Sequence, residues 1–258
     1  MEKHTVSASL TDNTKYMNRA LPVKKSFDII ERNLIIGGQN SAFYFIDGFT
    51  KDETMLKLMD SFLNISADDM PEDATSFSTS CIPYVEVDIL GDFDSIFKNL
   101  LSGVTCLFID GYEAAIAIDC RTYPSRIIEE PDKDKSLRGS RDGFVETIVF
   151  NTALMRRRIR DPHLIMEMYE AGTSTRTDVA LCYMSDRVDR ELLTTIQNKL
   201  EESKSQDLKM SQQSLAESLF QRKWYNPFPK YKFTERPDTA CACLMEGKVI
   251  ILTDTSPS

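Results

Sequence analysis

The residues best suited to chemistry in this chain form a short loop at 138–143, which reads RGSRDG. Glycines and arginines just before a helix can bind phosphate through backbone N–H groups and guanidinium groups. The loop lacks the Gly-Lys-Ser/Thr ending of a nucleotide P-loop and the spacing of a dinucleotide-binding fingerprint. The favoured interpretation is a turn whose arginines, Arg138 and Arg141, pair with the acidic residues 129–132, because loop arginines usually find nearby carboxylates.

A second concentration of charge follows at Arg156, Arg157, Arg158 and Arg160, in an otherwise acidic protein. Three consecutive helical residues cannot all point in one direction, so some of these arginines must face protein or a partner. The simpler interpretation is a solvent-exposed helix face with local ion pairs, since charge runs are ordinarily surface features. The alternative is a contact with another subunit or with a membrane-proximal surface.

Metal and nucleophile chemistry have weak support in the sequence. The chain has two histidines, His4 and His163, and Cys241 and Cys243 have the wrong spacing for a structural zinc site. No serine, cysteine or histidine lies in a recognisable nucleophile motif. We therefore predict no catalytic residue, no metal site and no cofactor, and we expect the chain not to be an enzyme.

Composition excludes further classes of function. The 31 Lys and Arg against 40 Asp and Glu give a net charge of −9, which argues against a nucleic-acid partner because phosphate binding needs a basic face. No apolar run approaches the roughly 20 residues that span a bilayer, and the N-terminus lacks the apolar core of a signal peptide. The six cysteines lie in apolar segments, which is typical of reduced, buried thiols in a cytosolic compartment.

The alternation of strand and helix patterns along the chain predicts an α/β fold of two small α/β subdomains with mixed sheets. We expect a flexible arm over 1–27, subdomain 1 over 28–130 and subdomain 2 over 131–258, because the apolar pattern collapses between 128 and 141. Strands are predicted at 33–36, 41–46, 85–89, 104–109, 112–118, 164–169, 178–183 and 249–252. Helices are predicted at 51–63, 92–102, 142–160, 189–200, 211–220 and 237–246. Asp110-Gly111 is the favoured filling of a two-residue hairpin.

Four stretches of the chain resemble one known family. They are SAFYFIDGFTKDETMLKLM at 41–59, SGVTCLFIDGYEAAIAIDCRTYPSR at 102–126, LRGSRDGFVETIVFNTALMRRRI at 137–159 and ERPDTACACLMEGKVIILTDTSPS at 235–258. Together they resemble the A-type subunits of the spore germination GerA family, and in particular its stage V sporulation AF branch. Ser140 and Asp142 depart from the germinant-receptor members, which more often have Pro and Glu there.

The resemblance implies that these residues are the cytosolic N-terminal domain of a spore inner-membrane protein, and that the chain continues into a membrane region. It implies an oligomeric channel component in spore ion release, with an assembly or gating role for this domain, on the spore-core side of the membrane. The implied partners are further copies, through the membrane region, and other spore inner-membrane germination proteins. The alternatives are a sensor that binds a small molecule between the subdomains and, second, a soluble enzyme. The implied interaction residues are Arg138, Gly139, Arg141, Asp142, Gly143, Arg156, Arg157 and Arg158.

Overall fold

The computed structural model describes residues 4–50, 52–84, 86–123, 142–205, 215, 216, 219 and 231–256. The chain divides into two compact units. Unit 1 consists of Met1–Pro124 with Arg160–Pro162, and unit 2 consists of Ser125–Ile159 with His163–Ser258. None of the helices in the described ranges is long and apolar enough to cross a membrane.

Unit 1 is built on a five-stranded sheet with the order β1-β2-β4-β5-β3. The strands are β1 (Ile29–Ile36), β2 (Gln39–Ile46), β3 (Val87–Leu90), β4 (Thr105–Ile109) and β5 (Ala115–Ile118). The tight turn between β1 and β2 consists of Gly37 and Gly38, both at positive φ, as a two-residue hairpin requires.

Helices cover both faces of this sheet. The helices of unit 1 are α1 (Leu10–Ala20), α2 (Asp52–Leu63), α3 (Ala74–Ser80) and α4 (Phe93–Leu101). Phe43 and Leu107 share one core with α2 and α3. The neighbouring Phe108 points to the opposite face, where its ring stacks on Phe93 of α4, and Phe93 in turn contacts Tyr16 of α1. Unit 1 is therefore a three-layer structure.

Unit 2 repeats the layered arrangement on a three-stranded sheet with the order β6-β7-β8. Its strands are β6 (Leu164–Ala171), β7 (Thr177–Met184) and β8 (Ile250–Thr253), and its helices are α5 (Ile148–Arg158), α6 (Arg190–Ser203) and α7 (Pro237–Met245). Leu193 and Ile196 of α6 pack with Leu181 of β7 on one face of the sheet. Helices α5 and α7 pack against each other and against β7 and β8.

The α/β class and the strands named from periodicity are confirmed, with two differences in pairing. The sheets were expected to be mixed, but every strand pair among the described residues is antiparallel. Three of these pairs join consecutive elements (β1 with β2, β4 with β5, and β6 with β7), and the other three join strands that are separated in sequence by further elements. The prediction of a two-residue hairpin at Asp110-Gly111 is wrong. Ile109 pairs with β2, and the connection to β5 extends to Ala114.

The prediction of a flexible arm over 1–27 is wrong from His4 onward. Residues 10–20 form α1, Met17 and Leu21 are fully buried, and Thr5 forms a β-bridge with Asp92. The polar composition of this segment conceals an apolar stripe in which a buried asparagine, Asn13, takes one of the inward positions. The predicted boundary between 130 and 131 lies outside the described residues and stays a prediction.

Two helix predictions also need correction. The helix of the 137–159 stretch was expected to begin at 142, but α5 begins at Ile148 after a non-helical segment. The helix predicted at 189–200 extends further, because α6 spans Arg190–Ser203. Its inward stripe runs through Leu193 and Ile196, whereas Leu192 is 45% exposed.

The two units share one chain path. Each begins with an 11-residue helix (α1 or α5), continues into a hairpin of two eight-residue strands, and reaches a nine-residue helix (α4 or α7) followed by a strand that pairs with the second hairpin strand. Both units also have a helix between the hairpin and the later helix, and this helix packs on the first hairpin strand (α2 or α6). Strands β3 and β5 and helix α3 of unit 1 have no counterpart among the described residues of unit 2. The described residues thus form an internal repeat in which unit 1 has additional elements.

The repeat extends to individual backbone contacts. The N–H of Val6 donates to the carbonyl of Gly91, just before α4, and the N–H of Phe144 donates to the carbonyl of Glu235, just before α7. Both bonds are 2.9 Å long. The segment that precedes the first helix is thus tied to the start of the later helix in both units.

One pair of equivalent positions differs in backbone strain. Gly111 follows β4 at φ 91°, and its counterpart Thr255 follows β8 at φ 64°. A β-branched residue is strained there, whereas glycine is not.

We expect Thr255→Gly to raise the free energy of unfolding by up to about 1 kcal/mol, because it removes the strain of a left-handed threonine. The matched variant is Gly111→Ala, whose added Cβ would meet no atom within 4 Å, so that any loss reports backbone strain alone. We expect that loss to be about 1 kcal/mol. Urea unfolding of the purified chain measures both, and a destabilising Thr255→Gly would contradict the assignment of strain.

Candidate functional site

The segment that carries the predicted interaction residues leads into α5. Three of them, Arg138, Gly139 and Arg141, lie outside the described residues, and their pairing with the acidic stretch stays a prediction. Asp142 is exposed and Gly143 is buried at the start of a non-helical segment that runs to Thr147, the residue before α5. The described part of the site is therefore this segment together with the side chains that hold it.

A buried asparagine on α5 holds this segment against the helix. Asn151 accepts a hydrogen bond from the N–H of Val145 at 2.8 Å and donates one to the carbonyl of the same residue at 2.6 Å. In unit 1, Asn13 makes the same two bonds with Ser7, at 2.9 and 2.6 Å. An amide side chain offers one acceptor and two donors, so it can satisfy both backbone polar groups of one residue.

The same segment is also tied to the residues that follow β8. The N–H of Ile148, the first residue of α5, donates to Oδ1 of Asp254 at 3.0 Å, and the N–H of Thr255 donates to the carbonyl of Glu146 at 2.7 Å. The carboxylate of Asp254 satisfies an N–H that the helix itself cannot satisfy, and its charge lies at the positive end of the helix dipole.

Unit 1 contains the equivalent contacts. The N–H of Leu10 donates to Oδ1 of Asp110 at 2.9 Å, and the N–H of Gly111 donates to the carbonyl of Ala8 at 2.8 Å. The agreement between units shows that these contacts belong to the architecture of the repeat.

The three consecutive arginines at the end of α5 have three different surroundings. Arg156 is fully buried, and its Nη2 donates to the carbonyl of Leu164 at 2.9 Å. Arg157 is exposed. Nη2 of Arg158 lies 2.8 Å from Oδ2 of Asp142, which brings two of the predicted interaction residues together. The interpretation of the whole run as a solvated face is wrong for Arg156, because successive residues of a helix diverge by about 100°.

A second arginine–carboxylate pair lies at the start of α7. Nε and Nη2 of Arg236 donate to the two carboxylate oxygens of Asp238, at 3.0 and 2.5 Å. These bonds are the main reason that the pKa of Asp238 is held below its ordinary value, with the Thr239 N–H and the charge of Arg158 adding to the effect against partial burial. Near neutral pH the pair therefore stabilises the fold, and this contribution is lost as the pH falls through the lowered pKa.

The two cysteines of α7 have different surroundings. Sγ of Cys241 lies 4.0 Å from the carbonyl of Met155 on α5, and burial raises the pKa of its thiol to about 12. Cys243 is half-buried. Cys241 is thus a packing residue at the contact of α5 with α7, and it stays protonated near neutral pH.

The residues that hold the segment were not identified from the sequence, although a signal exists. Helices α1 and α5 share the pattern Asn-Thr-x-x-Met-x-Arg, at 13–19 and at 151–157. Its asparagine and methionine are buried in both units. Comparison of the two helices would have indicated the repeat, whereas Phe-Ile-Asp-Gly at 45–48 and 108–111 does not correspond to equivalent positions.

Comparison with known proteins gives consistent matches. The family model described as Bacillus/Clostridium GerA spore germination protein matches residues 15–258. Stage V sporulation protein AF of Bacillus subtilis (strain 168) is 34% identical over 258 residues, which are 100% of this chain and 52% of that protein. Spore germination protein KA of the same organism is 28% identical over 256 residues, which are 98% of this chain and 46% of that protein. The chain thus spans about half the length of these relatives.

A solved structure shows the same fold. The crystal structure of the N-terminal domain of the A subunit of the Bacillus megaterium spore germinant receptor GerK3 matches with a TM-score of 0.70 at 22% identity. The match covers 100% of this chain and 95% of that chain.

The three adjacent arginines should respond differently to truncation. Arg156→Ala should lower the free energy of unfolding by about 2–4 kcal/mol, because it leaves a cavity and an unsatisfied carbonyl in the interior. Arg158→Ala should cost at most about 1 kcal/mol, as expected for a surface ion pair, and Arg157→Ala less than about 0.5 kcal/mol. Urea unfolding of the three variants measures these losses. Equal losses for Arg156→Ala and Arg157→Ala would contradict the assigned burial.

Thiol accessibility should distinguish the cysteines. Cys81 and Cys243 are half-buried and the other four cysteines are buried, so a maleimide at neutral pH should label these two first. Cys241 should react only on unfolding, because its thiol is buried and its pKa is raised. Mass spectrometry of peptides after brief labelling identifies the sites, with urea-unfolded protein as the control. Early labelling of Cys241 would show that the contact of α5 with α7 opens readily.

Proposed function

Because this chain belongs to the GerA family of spore germination proteins, we propose that it is the N-terminal domain of a spore inner-membrane germination protein. The observation that carries the proposal is the similarity to stage V sporulation protein AF, which extends over the whole chain but over only half of that protein. The fold shared with the N-terminal domain of a germinant receptor A subunit supports it. The remaining half of the protein would form the membrane region.

The role that we propose for the domain is assembly or gating of an oligomeric, ion-conducting membrane region during germination, without catalysis of its own. The conspicuous polar side chains of unit 2 support a positioning role. Asn151, Arg156 and Asp254 each hydrogen-bond to the backbone of a neighbouring element. Groups used in this way hold elements in place, whereas a catalytic group must reach a substrate.

We propose that the domain lies on the spore-core side of the inner membrane. Cysteines such as Cys106 and Cys182 serve as fully buried core residues, which suits a reducing compartment. Partners on this view are further copies of the full-length protein and other germination proteins of the same membrane.

The proposal predicts two properties of the full-length protein in a spore former. Spores that lack it should release ions more slowly after a germination stimulus, and a restored copy should return the parental rate. The protein should sediment with the inner-membrane fraction, and a protease added outside sealed membrane vesicles of known orientation should reveal the side of the domain. Full-length protein in the soluble fraction, or parental germination without the gene, would contradict the proposal.

A further inference from the structure

Two segments of unit 2 meet at one place: the incoming segment, which precedes α5, and the outgoing segment, which follows β8. We call this place the junction and define it by Glu146 and Ile148 on the incoming segment and Asp254 and Thr255 on the outgoing segment. Two hydrogen bonds, of 2.7 and 3.0 Å, join the two segments. These contacts connect residues that lie more than a hundred positions apart in sequence, so the two segments move together as long as the bonds persist.

The incoming segment is held rigidly on its other side. Asn151 fixes both polar groups of Val145, the N–H of Phe144 donates to Glu235, and Asp142 pairs with Arg158. If the chain before α5 moves, these contacts leave the incoming segment little freedom to absorb the movement. The movement then acts on the two hydrogen bonds of the junction.

The outgoing segment makes the same three backbone hydrogen bonds as its counterpart, but it follows a strand with fewer described neighbours. In unit 1, Asp110 and Gly111 follow a central strand and the chain returns into β5 of the same sheet. In unit 2, Asp254 and Thr255 follow β8, which pairs on one side only, with β7, among the described strands. Thr255 is also held at φ 64°, a conformation that a β-branched residue leaves when its restraints are released.

We propose that the junction couples the segment before α5 to the chain beyond Thr255, so that a change in the incoming segment reaches the membrane region. This inference rests on the proposed function, in which that region follows unit 2. With both bonds formed, the outgoing segment follows the incoming one. When they break, Thr255 relaxes and the two segments move independently. On this proposal, the strain at Thr255 favours release of the bonds, and the closed and open junctions are the two states of a switch element.

Hydrogen exchange of the purified 258-residue chain tests whether the two segments are coupled. Asp254→Ala removes the acceptor of the Ile148 N–H and should speed exchange at Ile148 by about tenfold, the loss expected for a helix cap. Coupling requires that exchange at Thr255, whose acceptor is untouched, rise by a similar factor after correction for intrinsic rates. Asp254→Asn keeps an acceptor oxygen and should restore protection at both amides. Faster exchange at Ile148 with unchanged exchange at Thr255 would overturn the proposal.

The repeat supplies a matched control in the full-length protein. Asp110→Ala removes the equivalent cap of α1 and should lower the stability of unit 1 comparably, without touching the junction. At equal protein abundance, spores with Asp254→Ala should release ions several-fold more slowly than spores with Asp110→Ala, which should resemble the parent. Equal rates for the two variants would overturn the coupling role. If spores without the gene germinate at the parental rate, the proposed function fails, while the exchange experiment still decides whether the two segments are coupled.

Discussion

The hydrogen bonds between polar side chains and the backbone at the start of each unit are the constraint on which the rest of the fold depends. Asn13 and Asn151 each bind the backbone of the residue six positions earlier. Asp110 caps the first N–H of α1, and Asp254 caps the first N–H of α5. These bonds set the position of α1 and α5 along the sheet. A buried amide is costly unless its partners are in place, so Asn13 and Asn151 favour the one placement of their helix in which both of their hydrogen bonds form.

The two units differ at one position of their first helix, because the surroundings of that position differ. Arg156 is fully buried in α5, and the corresponding residue of α1 is Asn18, whose Oδ1 is buried without a hydrogen-bond partner among the described residues. The longer side chain of Arg156 reaches the carbonyl of Leu164 at the start of β6. The basic end of α5 thus contains one buried arginine, Arg156, and one arginine, Arg158, that pairs with Asp142 at the surface.

Membership in the GerA family gives this architecture a context. The matched relatives are about twice as long as this chain, and unit 2 contains the last strand before the chain reaches 256. A domain that passes its incoming and outgoing segments through one hydrogen-bonded place is suited to transmit position from one part of a protein to another. Two segments held together only by packing would shift relative to each other more easily, because packing is not directional whereas hydrogen bonds are.

The sequence by itself determined the family, the α/β class and the elements whose signals are local. Gly37 and Gly38 specify the first hairpin, and Asp92 and Asp189 cap α4 and α6, as their types predict. Only the tertiary structure decided the rest. Helix α1 is stable because distant residues cover its narrow apolar stripe. The environments of Arg156 and Asp254 depend on partners that no local sequence pattern indicates. Periodicity reports which face of an element is buried, whereas the partner of a buried polar group depends on how distant segments come together.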